Sequence, residues 1–264
     1  MPIGPVQPVP LQVPLPEPPP LLLQGARSAG AVPAPRFDCP PLTESRPWTA
    51  PEPRAGAAIG SKQADRQGDD AAKASLLPGG DAGGGDYRQL LKPTAAGWPV
   101  RSSWCVWIEP LAPGTPASSF EARWQRAVEA ALATWQGELP IQRVATADQA
   151  QVRLWRRRPP LKSGSDGALR ASHGRALLEL RQVQRLGQWQ LEPLVEVLIS
   201  PGQRPEAIQA TSLHELGHAF GLWGHSDQDG DVMAVSPTAR PVLSLSPRDR
   251  ATLRWLLRQP GLAP

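Results

Sequence analysis

The sequence predicts an α+β domain over residues 87–264: a twisted, mixed sheet of about five strands carrying a long first helix, a histidine-bearing second helix and a C-terminal helix. Three observations carry this. Nine of the ten tryptophans lie beyond Tyr87, so core-forming material is concentrated there. Segments of period-two and helical apolar spacing succeed one another along that stretch. The prolines are local: sixteen of 33 fall within the first 53 of 264 residues.

Residues 1–54, with Pro18-Pro19-Pro20 and many isolated prolines, are expected to be a disordered Pro-rich segment, since proline lacks an N–H and fixes φ. Residues 55–86 end in a glycine-dense run and are expected to form a Gly/Ala/Asp-rich linker. A proline-recognising partner for the first segment is an alternative to a plain spacer. The domain opens with a strand over Val100–Ile108, where Trp104, Val106 and Ile108 alternate. Ser118 and Glu121 are spaced as a capping box. The helix they open carries Phe120, Trp124, Val128, Ala131 and Trp135 on one face and closes before Pro140. Gln151 to Trp155 alternates as a strand, and Ala176–Leu180 and Val195–Ile199 are two more. Glu206 to Phe220 returns to helical spacing behind Pro205. Ser246 caps a last helix from Pro247 to Leu257, with Asp249 three residues on.

Lys and Arg outnumber Asp and Glu by 28 to 24, too small a surplus to point to nucleic acid. Arg156-Arg157-Arg158 is expected to end a strand and face water. Two cysteines, Cys39 and Cys105, provide no disulfide framework. No basic stretch leads into a sustained apolar run at the N-terminus, and no segment approaches the ~18 apolar residues of a membrane span. A soluble protein with no signal peptide in these residues is expected.

The informative segment is His214-Glu215-Leu216-Gly217-His218. Two histidines four apart on a helix sit on adjacent turns of one face, so both imidazoles can reach one zinc ion. Glu215 lies about 100° further round the axis, placed to accept a proton from water at the ion. Leu213, Leu216 and Phe220 form the opposite, apolar face. A catalytic zinc site needs a third protein ligand and an open fourth position. No glutamate follows Glu215, which removes the peptidases whose third ligand is a downstream Glu. Gly221 ends the helix with the positive φ a sharp turn requires, and His225 follows four residues later. Asp227 is the other nearby candidate.

With His214-Glu215-Leu216-Gly217-His218-Ala219-Phe220-Gly221-Leu222, then His225-Ser226 and Met233, the chain resembles the metzincin peptidases, in particular the matrixin-like (matrix metalloproteinase-type) catalytic domain. The family places its third histidine three residues after the glycine; here it comes four after, with Trp223-Gly224 in the turn. The resemblance, over roughly 87–259, implies a metzincin-like fold and one catalytic Zn2+ held by His214, His218 and His225. It further implies Glu215 as general base, and Gly221 and Met233 as structural support, Met233 forming a methionine turn beneath the metal. The implied activity is a zinc metalloendopeptidase acting on protein or peptide substrates laid extended along an edge strand, for which Ala176–Leu180 is the candidate. The alternative is a catalytically weak zinc-holding scaffold that recruits a partner through its Pro-rich tail.

Other residues receive plainer readings. His173 is expected in an exposed loop. Asp227, Asp229 and Asp231 are expected as turn residues, with neither structural calcium nor a second zinc supported. Matrixin proenzymes are held latent by a propeptide cysteine on the zinc. Cys39 lacks that motif's spacing and is expected to be an uninvolved thiol, with latency and a Cys39–Cys105 disulfide as alternatives.

Overall fold

The computed structural model describes residues 37–42, 44–50, 85–163, 169–235 and 240–263. Most of the expected Pro-rich segment, and 55–84 of the expected linker, lie outside the described residues, as does any motif there for a proline-recognising partner. The fold is α+β. Its strands are β1 (Ser45–Pro47), β2 (Trp104–Ile108), β3 (Ile141–Arg143), β4 (Val152–Trp155), β5 (Lys162–Ser163), β6 (Leu169–Arg170), β7 (Gly174–Arg185) and β8 (Gln188–Ile199). The helices are α1 (Phe120–Gln136), α2 (Pro205–Ala219) and α3 (Pro247–Leu256). Six strands make one mixed sheet in the order β1-β7-β8-β4-β2-β3, while β5 and β6 pair apart from it. β3, β2, β4 and β8 run parallel; β7 is antiparallel to β8, and β1 to β7.

Burial explains why β2 is apolar throughout. Trp104, Val106 and Ile108 belong to the core cluster shared with α1 and α2. Cys105 and Trp107 point the other way yet are also buried. Trp107 packs edge-on to Trp155, ring centroids 4.7 Å apart, and Cys105 is bonded to Cys39.

Helix α1 buries Trp124, Val128, Ala131 and Trp135 as its spacing predicts. Two tryptophan N–H groups tie it to its neighbours. Trp135 Nε1 donates to Leu213 O at 3.0 Å, and Trp124 Nε1 to Ile199 O at 3.2 Å. Buried donors need acceptors, so these bonds set where α2 lies relative to α1 and β8. The expected cap is displaced by one residue: Ser119, not Ser118, accepts from Ala122 N at 3.0 Å. Phe120 is consequently the first helical residue, 71 % exposed, with the Arg123 guanidinium 4.3 Å over its ring. The basic run follows β4 and exposes Arg157 and Arg158 as expected, but its first residue differs. Arg156 turns inward, its backbone N–H on Glu109 Oε2 at 2.8 Å and its guanidinium 5.5 Å over Trp124.

The largest departure is at the N-terminus. Residues 44–50, inside the expected disordered segment, supply β1, which extends the sheet beyond β7 with Ser45 opposite Val183 and Pro47 opposite Arg181. Cys39 is neither a free thiol nor near the histidines; it forms a disulfide with Cys105, 66 residues along the chain. The expectation of an uninvolved thiol is overturned, and a latency role for Cys39 falls with it, because this sulfur sits on the sheet face away from α2. No described helix is long and apolar enough to cross a membrane.

Candidate metal centre

Helix α2 begins at Pro205 and ends one residue before Phe220. Its C-terminus is a Schellman turn. Gly221 has φ +109°, its N–H donates to His218 O at 2.9 Å, and Leu222 N donates to Gly217 O at 3.0 Å. A side chain at 221 would be strained in this conformation. The turn swings the chain back so that His225 faces the helix it has just left.

His214, His218 and His225 come together, with one ligand atom from each lying within 4.8 Å of the others. The His225 ring stacks on His214 at 5.3 Å and meets His218 edge-on at 5.0 Å. His214 Nδ1 lies 2.8 Å from Val232 O, and His218 Nδ1 lies 2.8 Å from Leu222 O. A carbonyl can only accept, so each Nδ1 carries the proton and each Nε2 keeps a lone pair for an ion. The donor set therefore fits a metal: three imidazoles, two with fixed tautomers.

Electrostatics agree with that role. Burial lowers the His214 pKa to about 4, opposed by the bond to Val232 and assisted by His225. Burial and then the His214 charge lower His218 to about 3. Both rings are neutral at pH 7, as ligation requires. The sign of the stability effect follows. Their pKa values lie below the 6.5 of the free group, so below pH 6.5 the unfolded chain binds protons that the folded, metal-free protein refuses. Stability is then full above pH 6.5 and is lost progressively as pH falls from there to about 4 for His214 and about 3 for His218, by ~1.4 kcal/mol per unit for each ring. Thermal melts of metal-free protein between pH 7 and 4.5 should show a midpoint that drops with acidification, and a flat profile would refute this.

Glu215 is 9 % exposed and faces β7: a Cβ added to Gly174 would lie 2.7 Å from Glu215 Oε1. Only glycine at the start of β7 lets that backbone approach the carboxylate so closely. Met233 is fully buried beneath α2, where a Cβ at Gly217 would overlap its Sδ. The loop carrying it closes on itself through Ser226 N to Met233 O at 2.6 Å. Asp227 is not among the converging groups; it ion-pairs with Arg248 at 2.8 Å and its side chain is 62 % exposed.

The extra residue before His225 has a local explanation. Trp223 stacks on His218 at 5.4 Å, and its carbonyl accepts from Lys92 N at 2.8 Å. A Cβ at Gly224 would overlap the Leu90 carbonyl, so the Trp223-Gly224 turn is moulded against residues 90–92. His173 is exposed, as expected of a loop.

Sequence reasoning missed the support behind His214. Asp249 is 1 % exposed; its Oδ2 accepts from Val232 N at 2.9 Å and its Oδ1 from the Tyr87 hydroxyl at 2.8 Å. Val232 thus receives Asp249 on its N–H and holds His214 on its carbonyl. Asp231, expected as a turn residue, is 4 % exposed and accepts from Ser226, Ser246 and Arg248. The one sequence signal was the position of Asp249 in the α3 cap, where it also closes a capping box with Ser246.

No family model and no curated protein matches the chain.

Proposed function

We propose that this chain is a zinc-dependent metalloendopeptidase, matrixin-like within the metzincins. The observation that carries the reading is the convergence of His214, His218 and His225 to within 4.8 Å, with Glu215 adjoining the first histidine on the same helix. Three imidazoles with an open fourth position are the donor set of catalytic zinc, whereas a structural zinc site closes with a fourth protein ligand. Further support comes from the order of elements, in which a strand and long helix precede further strands, the metal-binding helix and a last helix. That order is similar to the metzincin catalytic domain.

Bound zinc supplies Lewis acidity, making water nucleophilic near neutral pH and polarising a carbonyl. Glu215 accepts the proton of the attacking water and delivers it to the departing amine, so that one C–O bond forms as the C–N bond breaks. The edge of β7 that β1 leaves unpaired among the described residues orients an extended substrate by backbone hydrogen bonds. The test is digestion of an unfolded protein by zinc-loaded full-length chain. The expected result is internal cleavage, lost on chelation and restored by zinc. A protein that binds zinc stoichiometrically yet cleaves nothing would favour the scaffold reading.

A further inference from the structure

We infer that β1, pinned by the Cys39–Cys105 disulfide, is a stop on the substrate edge of β7 that limits how far a substrate reaches on the N-terminal side of the cleaved bond. The inference rests on the proposed peptidase reading and adds to it a specificity-determining element from outside the motif.

The edge of β7 is shared unequally. β1 occupies it opposite Arg181, Gln182 and Val183, flanked by Gln184 N to Glu44 O at 3.0 Å and Trp48 N to Leu180 O at 2.8 Å. In an antiparallel ladder alternate residues direct both backbone groups to the same neighbour. Leu180 and Gln184 face β1, so Ala176 and Leu178 direct theirs to the same edge, where no strand of the described residues pairs with β7. Gly174, at the end of that edge, touches Glu215. Between the last rung at Leu180 and Gly174 lie five positions: 175, 176, 177, 178 and 179.

Polarity follows from register. A peptide added antiparallel to β7 runs in the direction of β1, from Leu180 towards Gly174. Its N-terminal end therefore meets Trp48, while its C-terminal end passes the metal. At ~3.4 Å per residue, the open edge accepts about five residues before the peptide reaches Trp48.

The strap is anchored well enough to act as a stop. Arg46 Nε donates to Gln182 Oε1 at 2.7 Å, with its guanidinium 4.6 Å over the Trp189 ring. Arg181 Nη2 reaches both Ser45 O and Oγ, at 3.1 and 3.0 Å. A three-residue strand alone would fray; the disulfide keeps it at high local concentration.

The experiment uses oxidised, zinc-loaded full-length protein and one cleavable peptide lengthened at its N-terminus, giving two to nine residues before the cleaved bond. Wild type should gain kcat/KM up to about five residues and then level off. In Cys39→Ser/Cys105→Ser, the gain should continue, by roughly two- to tenfold for each further rung of net hydrogen bonding. Trp48→Pro, which keeps the disulfide but removes the N–H on Leu180, should extend the gain by one rung and guards against misfolding of the double variant. Binding of the same peptides to zinc-loaded Glu215→Ala reads the stop without turnover. An affinity plateau there supports the proposal even if no form cleaves, a result that would overturn only the peptidase reading. Affinity or kcat/KM that climbs steadily with N-terminal length in the presence of the strap overturns the stop, as does an unchanged plateau in both strap variants. Absence of peptide binding overturns stop and peptidase together.

Discussion

Replacing Glu215 by alanine should reduce peptide hydrolysis by about 10³-fold or more while leaving the fold and the bound zinc intact. In the proposed mechanism two proton transfers pass through this carboxylate, and loss of a positioned acid–base group costs up to ~10⁴-fold. The metal should remain because the ligand atoms belong to His214, His218 and His225, and the Nδ1 bonds that orient the first two go to Val232 and Leu222, not to Glu215. Alanine is a good helix residue, and the vacated space faces Gly174 on the rim of the sheet. Zinc content by atomic spectroscopy, circular dichroism and a peptide-cleavage assay make the measurement. Loss of zinc, or cleavage near the wild-type rate, would refute the role given to Glu215.

His225→Ala and Asp227→Ala should separate just as sharply. The first removes one of three donors and should weaken zinc binding by more than the ~10–100-fold that follows loss of a mere outer-shell partner, with activity falling in parallel. His225 is exposed, so little packing is lost and the fold should survive. Asp227→Ala should bind zinc as wild type does. Its carboxylate is engaged with Arg248 at 2.8 Å, and an exposed ion pair of that kind contributes ~0–1 kcal/mol. Competition titrations against a chromophoric chelator give both affinities. Steep loss in Asp227→Ala with retention in His225→Ala would transfer the third ligand to the aspartate.

Much of the candidate metal centre was legible because its geometry is local. A helix converts a spacing of four into adjacency on one face, so His214 and His218 could be paired, and Glu215 set beside them, without any tertiary knowledge. Gly221 announced its turn through the positive φ it now adopts, and Ser246 its cap through hydroxyl chemistry that operates over three residues. Strand β4 was readable from alternation, whereas the Val195–Ile199 reading caught only the end of β8, which begins at Gln188. Where two serines were adjacent, local rules could not choose: the cap fell on Ser119, and Phe120, counted with the apolar face, became exposed.

By itself, then, the sequence determined the helix that carries His214, Glu215 and His218 and the turn that ends it, because each is written in contacts of a few residues with a fixed helical period. Only the tertiary structure decided that Cys39 bonds Cys105, that Ser45–Pro47 joins the sheet beside β7, that Gly174 touches Glu215, and that Tyr87 and Asp249 stand behind His214. Those contacts join positions from 41 to 162 residues apart. They are set by sheet register and by which buried polar group finds which partner, and neither leaves a period in the chain to be read.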